Sequence, residues 1–219
     1  MSGLFVTPNG DGSFSFATGG YVLMAIAFFL IIIGISVLGN HKRKISVKQL
    51  VFAAAAIALA FVASYLKLFR MPMGGSVTLF SMFFITLVGY WYGPGVGLMV
   101  GIAYGLLQLF IDPYIISFPQ MLVDYPFAFG ALGLSGLFHK TKHGLISGYI
   151  TGVLGRYFFA VLSGVIFFGM YAPETMSPLV YSLAYNGGYL GAEAAMTLIL
   201  LAIPAVRRGL AYVKTLARD

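Results

Sequence analysis

Asp124, Arg156 and Glu193 are charged residues that lie inside long apolar stretches of the chain. The other charged side chains lie at the ends of such stretches, in short polar connectors or in the termini. A charge in the hydrocarbon layer of a membrane costs roughly 2.5–3.5 kcal/mol on insertion scales, so such residues usually face the protein interior and mark a pathway or a ligand site. These residues are therefore the first candidates for chemistry.

Polar and aromatic residues accompany these charges. Gln120 and Asp124 are four residues apart, which places them on one face of a helix. A carboxylate beside aromatic rings suits a flat, cationic or aminated heterocycle. The other candidates for the same pocket, all polar or aromatic side chains of the apolar stretches, are Tyr104, Tyr125, Arg156, Phe159, Phe168, Tyr181, Tyr185 and Asn186.

Two other interpretations of these charges remain open at this point. Asp124 and Arg156 could pair for structural reasons alone, although a buried pair often gains little stability over apolar replacements. Glu193 stands among alanines, which favours a tight helix contact with a carboxyl that could be protonated. A proton relay through Asp124 or Glu193 would instead indicate a stand-alone proton-coupled secondary transporter.

Catalytic groups are mostly missing. The chain has no cysteine, and His41, His139 and His143 all lie in polar connectors, so we expect no metal site, no cofactor and no enzyme. No GxxxxGK[ST] sequence is present to hold nucleotide phosphates. Ser163-Gly164 resembles a nucleophile pair but lacks a histidine in the apolar stretches to activate it.

The composition is that of a polytopic helical membrane protein. The 219 residues are 60% hydrophobic and 9% charged, against about 25% charged in soluble domains. Each apolar stretch is near the length of about 17–25 residues that crosses a bilayer. We predict an all-α integral membrane protein with seven spans at Tyr21–Leu38, Val47–Phe69, Val77–Tyr92, Gly95–Ile111, Phe118–Phe138, Leu145–Met170 and Pro178–Val206. Residues 1–45 would form a polar segment and an extra N-terminal helix, and residues 46–219 a six-helix membrane domain.

The basic residues predict the orientation in the plasma membrane. Ten of the thirteen Lys and Arg residues lie at 40–48, at 139–143 and in the C-terminal tail, which all fall on one side of a seven-span chain. The positive-inside rule places this side in the cytoplasm, with the C-terminus inside and the N-terminus outside. The same distribution argues against a nucleic-acid-binding stripe despite the net charge of +7.

Small residues mark two helix faces. Gly93, Gly97, Gly101 and Gly105 repeat every four positions and predict a groove for a closely packed backbone. Ala54 and Ala58 lie on a similar face, which is suited to internal packing or to a partner subunit.

Three stretches of the chain carry a family resemblance. In chain order, these stretches are Gly101-Ile-Ala-Tyr-Gly-Leu-Leu-Gln-Leu109, then Pro119-Gln120-Met-Leu-Val-Asp124-Tyr125-Pro126-Phe-Ala-Phe129, and then Gly164-Val-Ile-Phe167 followed by Tyr181-Ser-Leu-Ala-Tyr-Asn186. They closely resemble the thiamine-specific S-components (YuaJ family) of energy-coupling factor transporters, over roughly residues 50–200. The resemblance implies a six-helix membrane protein that captures a vitamin from outside. It also implies a transmembrane scaffold subunit and two cytoplasmic ATPases as partners, with substrate release by toppling in the membrane.

The resemblance also assigns residues. It implies that the pocket of the family corresponds here to Asp124-Tyr125, Arg156, Gly164, Tyr181 and Asn186, with Tyr104 and Phe168 in the wall. Gln120 is added to this site by its spacing of four residues from Asp124. The AxxxA motif that contacts the scaffold subunit in the family corresponds to Ala54 and Ala58.

The chain departs from the family pattern at several pocket positions. Asp124 stands for a glutamate, Ala160 for a histidine, and Gly75, Tyr104 and Phe168 for tryptophans. The smaller residues at these positions would enlarge the pocket, and the loss of the histidine would remove a hydrogen bond to the ligand. Thiamine is the leading substrate, and a pyridoxine-type vitamer or hydroxymethylpyrimidine is the alternative.

Overall fold

A computed structural model describes residues 6–8, 14–22, 26, 45–72 and 74–218. Two short strands, β1 (Val6–Pro8) and β2 (Phe14–Phe16), pair antiparallel at the N-terminus. The helices and strands that follow along the chain are α1 (Val47–Tyr65), β3 (Lys67–Arg70), β4 (Ser76–Thr78), α2 (Ser81–Tyr92), α3 (Pro94–Ile111), α4 (Phe118–Phe138), α5 (Gly144–Phe167), α6 (Pro178–Ala202) and α7 (Pro204–Arg218), with a short 3-10 turn at Gly169–Tyr171 between α5 and α6.

The described helices have the lengths and surfaces of a multi-pass membrane protein. Four of them, α1, α3, α4 and α5, are long and apolar enough to cross a membrane, and α6 meets this test together with α7. Large apolar side chains such as Leu154, Phe158 and Ile199 are exposed on the outside of the bundle, where lipid would cover them. The predicted helical membrane class is therefore confirmed. The predicted first span, Tyr21–Leu38, lies almost entirely outside the described residues, so the count of seven spans stays a prediction.

Serine side chains begin three of the helices. The Ser46 hydroxyl accepts a hydrogen bond from the N–H of Gln49, and the Gln49 side chain accepts one from the N–H of Ser46, which makes a capping box for α1. The Ser117 and Ser177 hydroxyls cap α4 and α6 by accepting from the N–H groups of Gln120 and Val180, and a proline lies in the first turn of each helix. These starts are readable in the sequence.

The glycine face of α3 packs against α4, as predicted for internal packing. A Cβ atom on Gly101 would lie 2.5 Å from the carbonyl oxygen of Phe129 and 3.0 Å from Cα of Gly130. Gly97 and Gly105 meet the backbone of α4 at Gly133 and Tyr125 equally closely. Only hydrogen side chains allow the two helices to approach to this distance.

The prediction of a helix over Val47–Phe69 was wrong at its end, and so was the predicted start of the next helix at Val77. α1 ends at Tyr65, and β3 and β4 form an antiparallel hairpin in which Phe69 opposes Val77. Gly74 and Gly75 have φ of 79° and 71°, a left-handed conformation that glycine adopts without strain. The turn between the strands therefore depends on these glycines.

The last predicted span, Pro178–Val206, is also corrected. Pro204 lacks the N–H that would continue the helix, and Ile203 before it adopts an extended conformation. The chain bends by 90° and the basic tail continues as helix α7. At this end of the bundle the Tyr92 hydroxyl donates to the carbonyl oxygen of Ala217, over 3.1 Å.

We expect Gly101→Ala to destabilise the bundle because the added methyl group meets the α4 backbone. Overpacking of this kind costs roughly 1–3 kcal/mol. Gly95→Ala is the matched control on the same helix, since a Cβ there meets nothing within 4 Å and alanine favours a helix. Thermal unfolding of the two variants in detergent is the measurement. Equal unfolding temperatures would contradict the close packing of α3 on α4.

Candidate functional site

A chamber of about 180 Å³ opens between the helices at the end of the bundle where the β3–β4 hairpin lies. Residues of the hairpin, of the 112–117 loop and of helices α1 to α6 line it. The rings of Tyr114 and Phe168 stack at 5.9 Å across this end. The chamber is therefore walled by the helices and roofed by the loops.

The structure brings all nine residues of the predicted pocket together around this chamber. They are Tyr104, Gln120, Asp124, Tyr125, Arg156, Gly164, Phe168, Tyr181 and Asn186. Tyr185 also lines it, whereas Phe159 does not and packs instead against Phe127 and Phe158. The role of these residues in binding stays a prediction, but their proximity is a fact of the fold.

Asp124 lies in an irregular turn of α4. Residues 123–127 form a single π-helical turn around Pro126, whose ring nitrogen has no hydrogen to donate. The Asp124 carboxylate accepts a hydrogen bond of 2.5 Å from the Gln120 amide, which fulfils the predicted helix-face relation of these two residues. The turn directs a carboxylate into the chamber.

Arg156 does not form the structural ion pair with Asp124 that the sequence left open as an alternative. Within the described residues no carboxylate oxygen lies within 4.0 Å of its guanidinium. The guanidinium instead lies over the ring of Phe129, 3.9 Å from its centroid, an attractive cation–π contact. Both charges face the same chamber, so they remain available to a ligand that carries groups for each.

Gln120 and Tyr125 hold the 112–117 loop. The Gln120 amide donates to the carbonyl oxygen of Tyr114 and accepts from the N–H of Ile116, both over 3.0 Å. The Tyr125 hydroxyl donates to the carbonyl oxygen of Asp112 and accepts from the N–H of Tyr114. These two side chains therefore shape the roof, and their polar atoms are largely committed to the protein.

Tyrosines recur every fourth residue along α6. The Tyr185 hydroxyl donates to the carbonyl oxygen of Gly74 over 2.8 Å, which ties the hairpin turn to α6. The Tyr189 hydroxyl donates to the side-chain oxygen of Asn186 over 3.0 Å. The Asn186 amide donates to the carbonyl oxygens of Ala160 and Ser182, so Asn186 joins α6 to α5 and positions Tyr189. The four-residue spacing of Tyr181, Tyr185 and Tyr189 is visible in the sequence and indicates one tyrosine-lined face of the helix.

Gly75, where the sequence predicted an enlarged pocket, lies against the ring of Tyr189. A Cβ atom there would lie 2.9 Å from the Tyr189 ring, so this ring occupies the space. Gly164 is packed equally closely, because a Cβ atom there would collide with the Ser182 hydroxyl of α6. Both glycines act through close packing.

Ser163 is a chamber residue that the sequence did not single out for binding. Its hydroxyl is buried and meets no hydrogen-bond partner among the described residues, although it lies near the Asp124 carboxyl. A buried polar atom without a partner is uncommon and costly, so a ligand that bonded to it would gain affinity. Only its position one residue before Gly164 hinted at this role.

Lys67 and Asp112 form an ion pair at the chamber mouth. The pair joins β3 to the end of α3 and so links the two roofing segments. In the part of the chain that the structure describes, no three His, Asp or Glu side chains lie close enough together to hold a metal ion.

Glu193 lies outside the chamber wall, where its carboxylate contacts the start of α2. Its carboxylate accepts hydrogen bonds from the N–H of Met82 over 2.9 Å and from the hydroxyl of Thr78 over 2.6 Å, with longer bonds from Thr78 N–H and the Ser81 hydroxyl. An anion is stabilised at a helix N-terminus by the free N–H groups and the helix dipole. Glu193 therefore caps α2 from a distant helix, and the predicted tight helix contact is in this sense correct.

Comparison with known proteins agrees with this geometry. The family model "Thiamine transporter protein (Thia_YuaJ)" matches residues 50–212. The chain belongs to the Thia_YuaJ family.

Two curated relatives of this chain carry the name thiamine transporter ThiT. The protein of Bacillus subtilis (strain 168) is 36% identical over 167 residues, which are 70% of this chain and 85% of that protein. The protein of Lacticaseibacillus paracasei is 30% identical over 120 residues, which are 47% of this chain and 60% of that protein. These relatives are transporters rather than enzymes.

A solved structure of ThiT from Listeria monocytogenes has the same fold. It aligns with a TM-score of 0.59 and 25% identity, over 72% of this chain and 96% of that chain. The predicted resemblance to the Thia_YuaJ family is thus confirmed by sequence and by structure.

We expect Glu193→Ala to lower the stability of the protein because it leaves buried donors at the start of α2 unpaired. Each such donor costs roughly 1–3 kcal/mol. Glu174→Ala is the control, since Glu174 is an exposed glutamate. Thermal unfolding of both variants tests this, and a Glu193→Ala protein as stable as the control would refute the capping role.

Proposed function

We propose that this chain binds thiamine in the chamber and acts as the substrate-binding S-component of an energy-coupling factor transporter. Membership of the Thia_YuaJ family supports the substrate. The observation that carries the proposal is the joint placement of Asp124, Arg156 and the tyrosines of α6 around one chamber. In the proposed orientation the chamber faces the outside, because the opposite end of the bundle carries the basic connectors.

The chemistry of thiamine matches the groups that face the chamber. Thiamine joins a cationic thiazolium ring to an aminopyrimidine and carries a hydroxyethyl tail. The Asp124 carboxylate balances the positive charge or accepts from the amino group, and the rings of Tyr181, Tyr185 and Phe168 offer faces for the cation. Arg156 and Ser163 remain as donors for the nitrogen or oxygen acceptors of the ligand.

The walls are preorganised for a ligand. Tyr104, Tyr125 and Asn186 use their polar atoms in bonds to backbone carbonyls or to neighbouring side chains. A pocket that is held in its binding shape loses less conformational entropy when the ligand enters. We infer that these residues contribute shape and ring surface, whereas Asp124 contributes charge.

The outer face of α1 is the proposed contact with the scaffold subunit. Ala53, Ala56 and Ala60 are buried against the bundle, whereas Ala54 and Ala58 are exposed. A flat alanine face lets another helix approach closely. The two ATPases would then act through the scaffold to release the vitamin into the cell.

We expect Asp124→Asn to weaken thiamine binding roughly tenfold to hundredfold, since a charge-assisted contact is lost while the shape is kept. Calorimetric titration of the purified protein measures this. Glu174→Gln is the matched control, because it removes the same charge from an exposed loop residue. Unchanged affinity in Asp124→Asn would refute the proposed site.

The same titration distinguishes the alternative substrates. Thiamine, a pyridoxine-type vitamer and hydroxymethylpyrimidine differ in charge, and only thiamine carries a permanent cation. Tighter binding of either neutral compound would reassign the substrate. Uptake that persists in cells without scaffold and ATPase subunits would favour a stand-alone proton-coupled transporter.

Larger side chains on α1 test the partner. We expect Ala54→Leu with Ala58→Leu to abolish thiamine uptake in cells while the affinity of the purified protein for thiamine is unchanged, because the scaffold is kept away from α1. Leu154→Phe adds bulk to an exposed position on α5 and serves as control. Normal uptake by the double variant would exclude this face as the docking surface.

A further inference from the structure

Helix α7 lies across the end of the bundle that is opposite to the chamber. It follows α6 after a bend of 90°, so it runs along the membrane surface where α6 crosses the membrane. Val206, Leu210 and Val213 pack onto the core, and Ala217 is buried. α7 is therefore an interfacial helix in its geometry.

Specific polar contacts fix α7 to the 139–143 loop. The Lys214 ammonium donates to the carbonyl oxygen of His139 over 2.7 Å and lies 3.6 Å from the centroid of the Tyr90 ring. Burial, and to a smaller extent the charge of Arg218, lowers the pKa of Lys214 to about 8. Lys214 thus serves as an anchor rather than as a free surface charge.

The exposed surface around this anchor carries positive charge. We call it the basic face and define it by the exposed side chains Lys140, Lys142, Arg207, Arg208 and Arg218. The acidic side chains that the structure describes lie elsewhere: Asp112 and Asp124 at the chamber, Glu193 inside the bundle and Glu174 in the loop before α6. Within the described residues the basic face is therefore uncompensated by carboxylates.

An apolar flank borders the basic face on α7. Tyr212 is 66% exposed and Leu216 is 44% exposed, although both are large apolar residues. They are four residues apart and lie on one side of the helix, and Tyr212 follows Arg208 by the same spacing. An exposed aromatic side chain and an exposed leucine next to arginines are typical of a helix that lies at the boundary between lipid headgroups and acyl chains.

We propose that the basic face binds the anionic headgroups of membrane phospholipids, with Tyr212 and Leu216 inserted at the level of the upper acyl chains. A bilayer that contains acidic lipids offers both features that this surface needs, negative charge and an adjoining apolar layer. Free phosphate supplies no apolar layer, whereas a bilayer supplies one directly beside its headgroups, where it continues the lipid-covered sides of the bundle. The contact would anchor one end of the molecule in a fixed position at the membrane surface.

Native mass spectrometry of the purified full-length protein tests the proposal. The protein is mixed in detergent with equal amounts of phosphatidylglycerol and phosphatidylcholine that have the same acyl chains. We expect retained lipid to be several-fold enriched in phosphatidylglycerol. The combined variant Arg207→Gln, Arg208→Gln and Arg218→Gln should lose this enrichment, while Arg70→Gln, an exposed arginine at the chamber end, should keep it.

Further arms separate lipid binding from other causes. Arg208→Lys should keep the preference, and thiamine affinity should be equal in all variants, which shows that they are folded. Equal retention of both lipids by the unmodified protein, or undiminished enrichment in the triple variant, would overturn the proposal. Inorganic phosphate that stabilises the protein against heat as strongly as phosphatidylglycerol does would also overturn it, since the site would then recognise a free anion.

Discussion

The bond between the Glu193 carboxylate and the start of α2 is the interaction on which the chamber depends. α2 has 12 residues and spans about 18 Å, less than the roughly 30 Å of hydrocarbon. Non-helical backbone fills the remainder, and at membrane depth its polar groups need partners inside the protein. Glu193 supplies them to Thr78, Ser81 and Met82, next to Phe80 in a left-handed conformation. Because Thr78 and Ser81 line the chamber, the same carboxylate fixes one chamber wall.

The chamber combines committed and open polar groups. Gln120, Tyr125 and Tyr185 use their polar atoms to hold the roofing segments. Asp124, Arg156 and Ser163 line the space that a ligand would enter. In the described part of the chain, Asp124 and Arg156 form no ion pair, and the Ser163 hydroxyl meets no hydrogen-bond partner. This division explains how a site can be rigid and still recognise a charged guest, since the residues that give it shape differ from those that give it charge.

The sequence predicted the chamber better than it predicted the chain around it. Charges inside apolar stretches must face inward, which located Asp124 and Arg156, and helix periodicity added Gln120. The hairpin after α1 was missed because Leu66, Leu68 and Phe69 continue the apolar pattern of the helix. The partners of Glu193 lie more than 100 residues away along the chain, and no local pattern reports them. Ser163 was missed for a related reason: an unpaired hydroxyl is a property of the packed structure.

The departures that the resemblance predicts at pocket positions affect the chamber unequally. At Gly75 the Tyr189 ring fills the available space, and φ of 71° favours glycine there, so a tryptophan could not be restored by a simple substitution. Ala160 lines the chamber, and its carbonyl oxygen accepts a hydrogen bond from the Asn186 amide, a backbone contact that does not depend on the side chain at this position. The resemblance predicts a histidine at position 160, and the methyl group of Ala160 offers no hydrogen bond to a ligand. A difference in ligand preference within the family should accordingly depend on position 160 rather than on position 75, and on the shorter reach of Asp124.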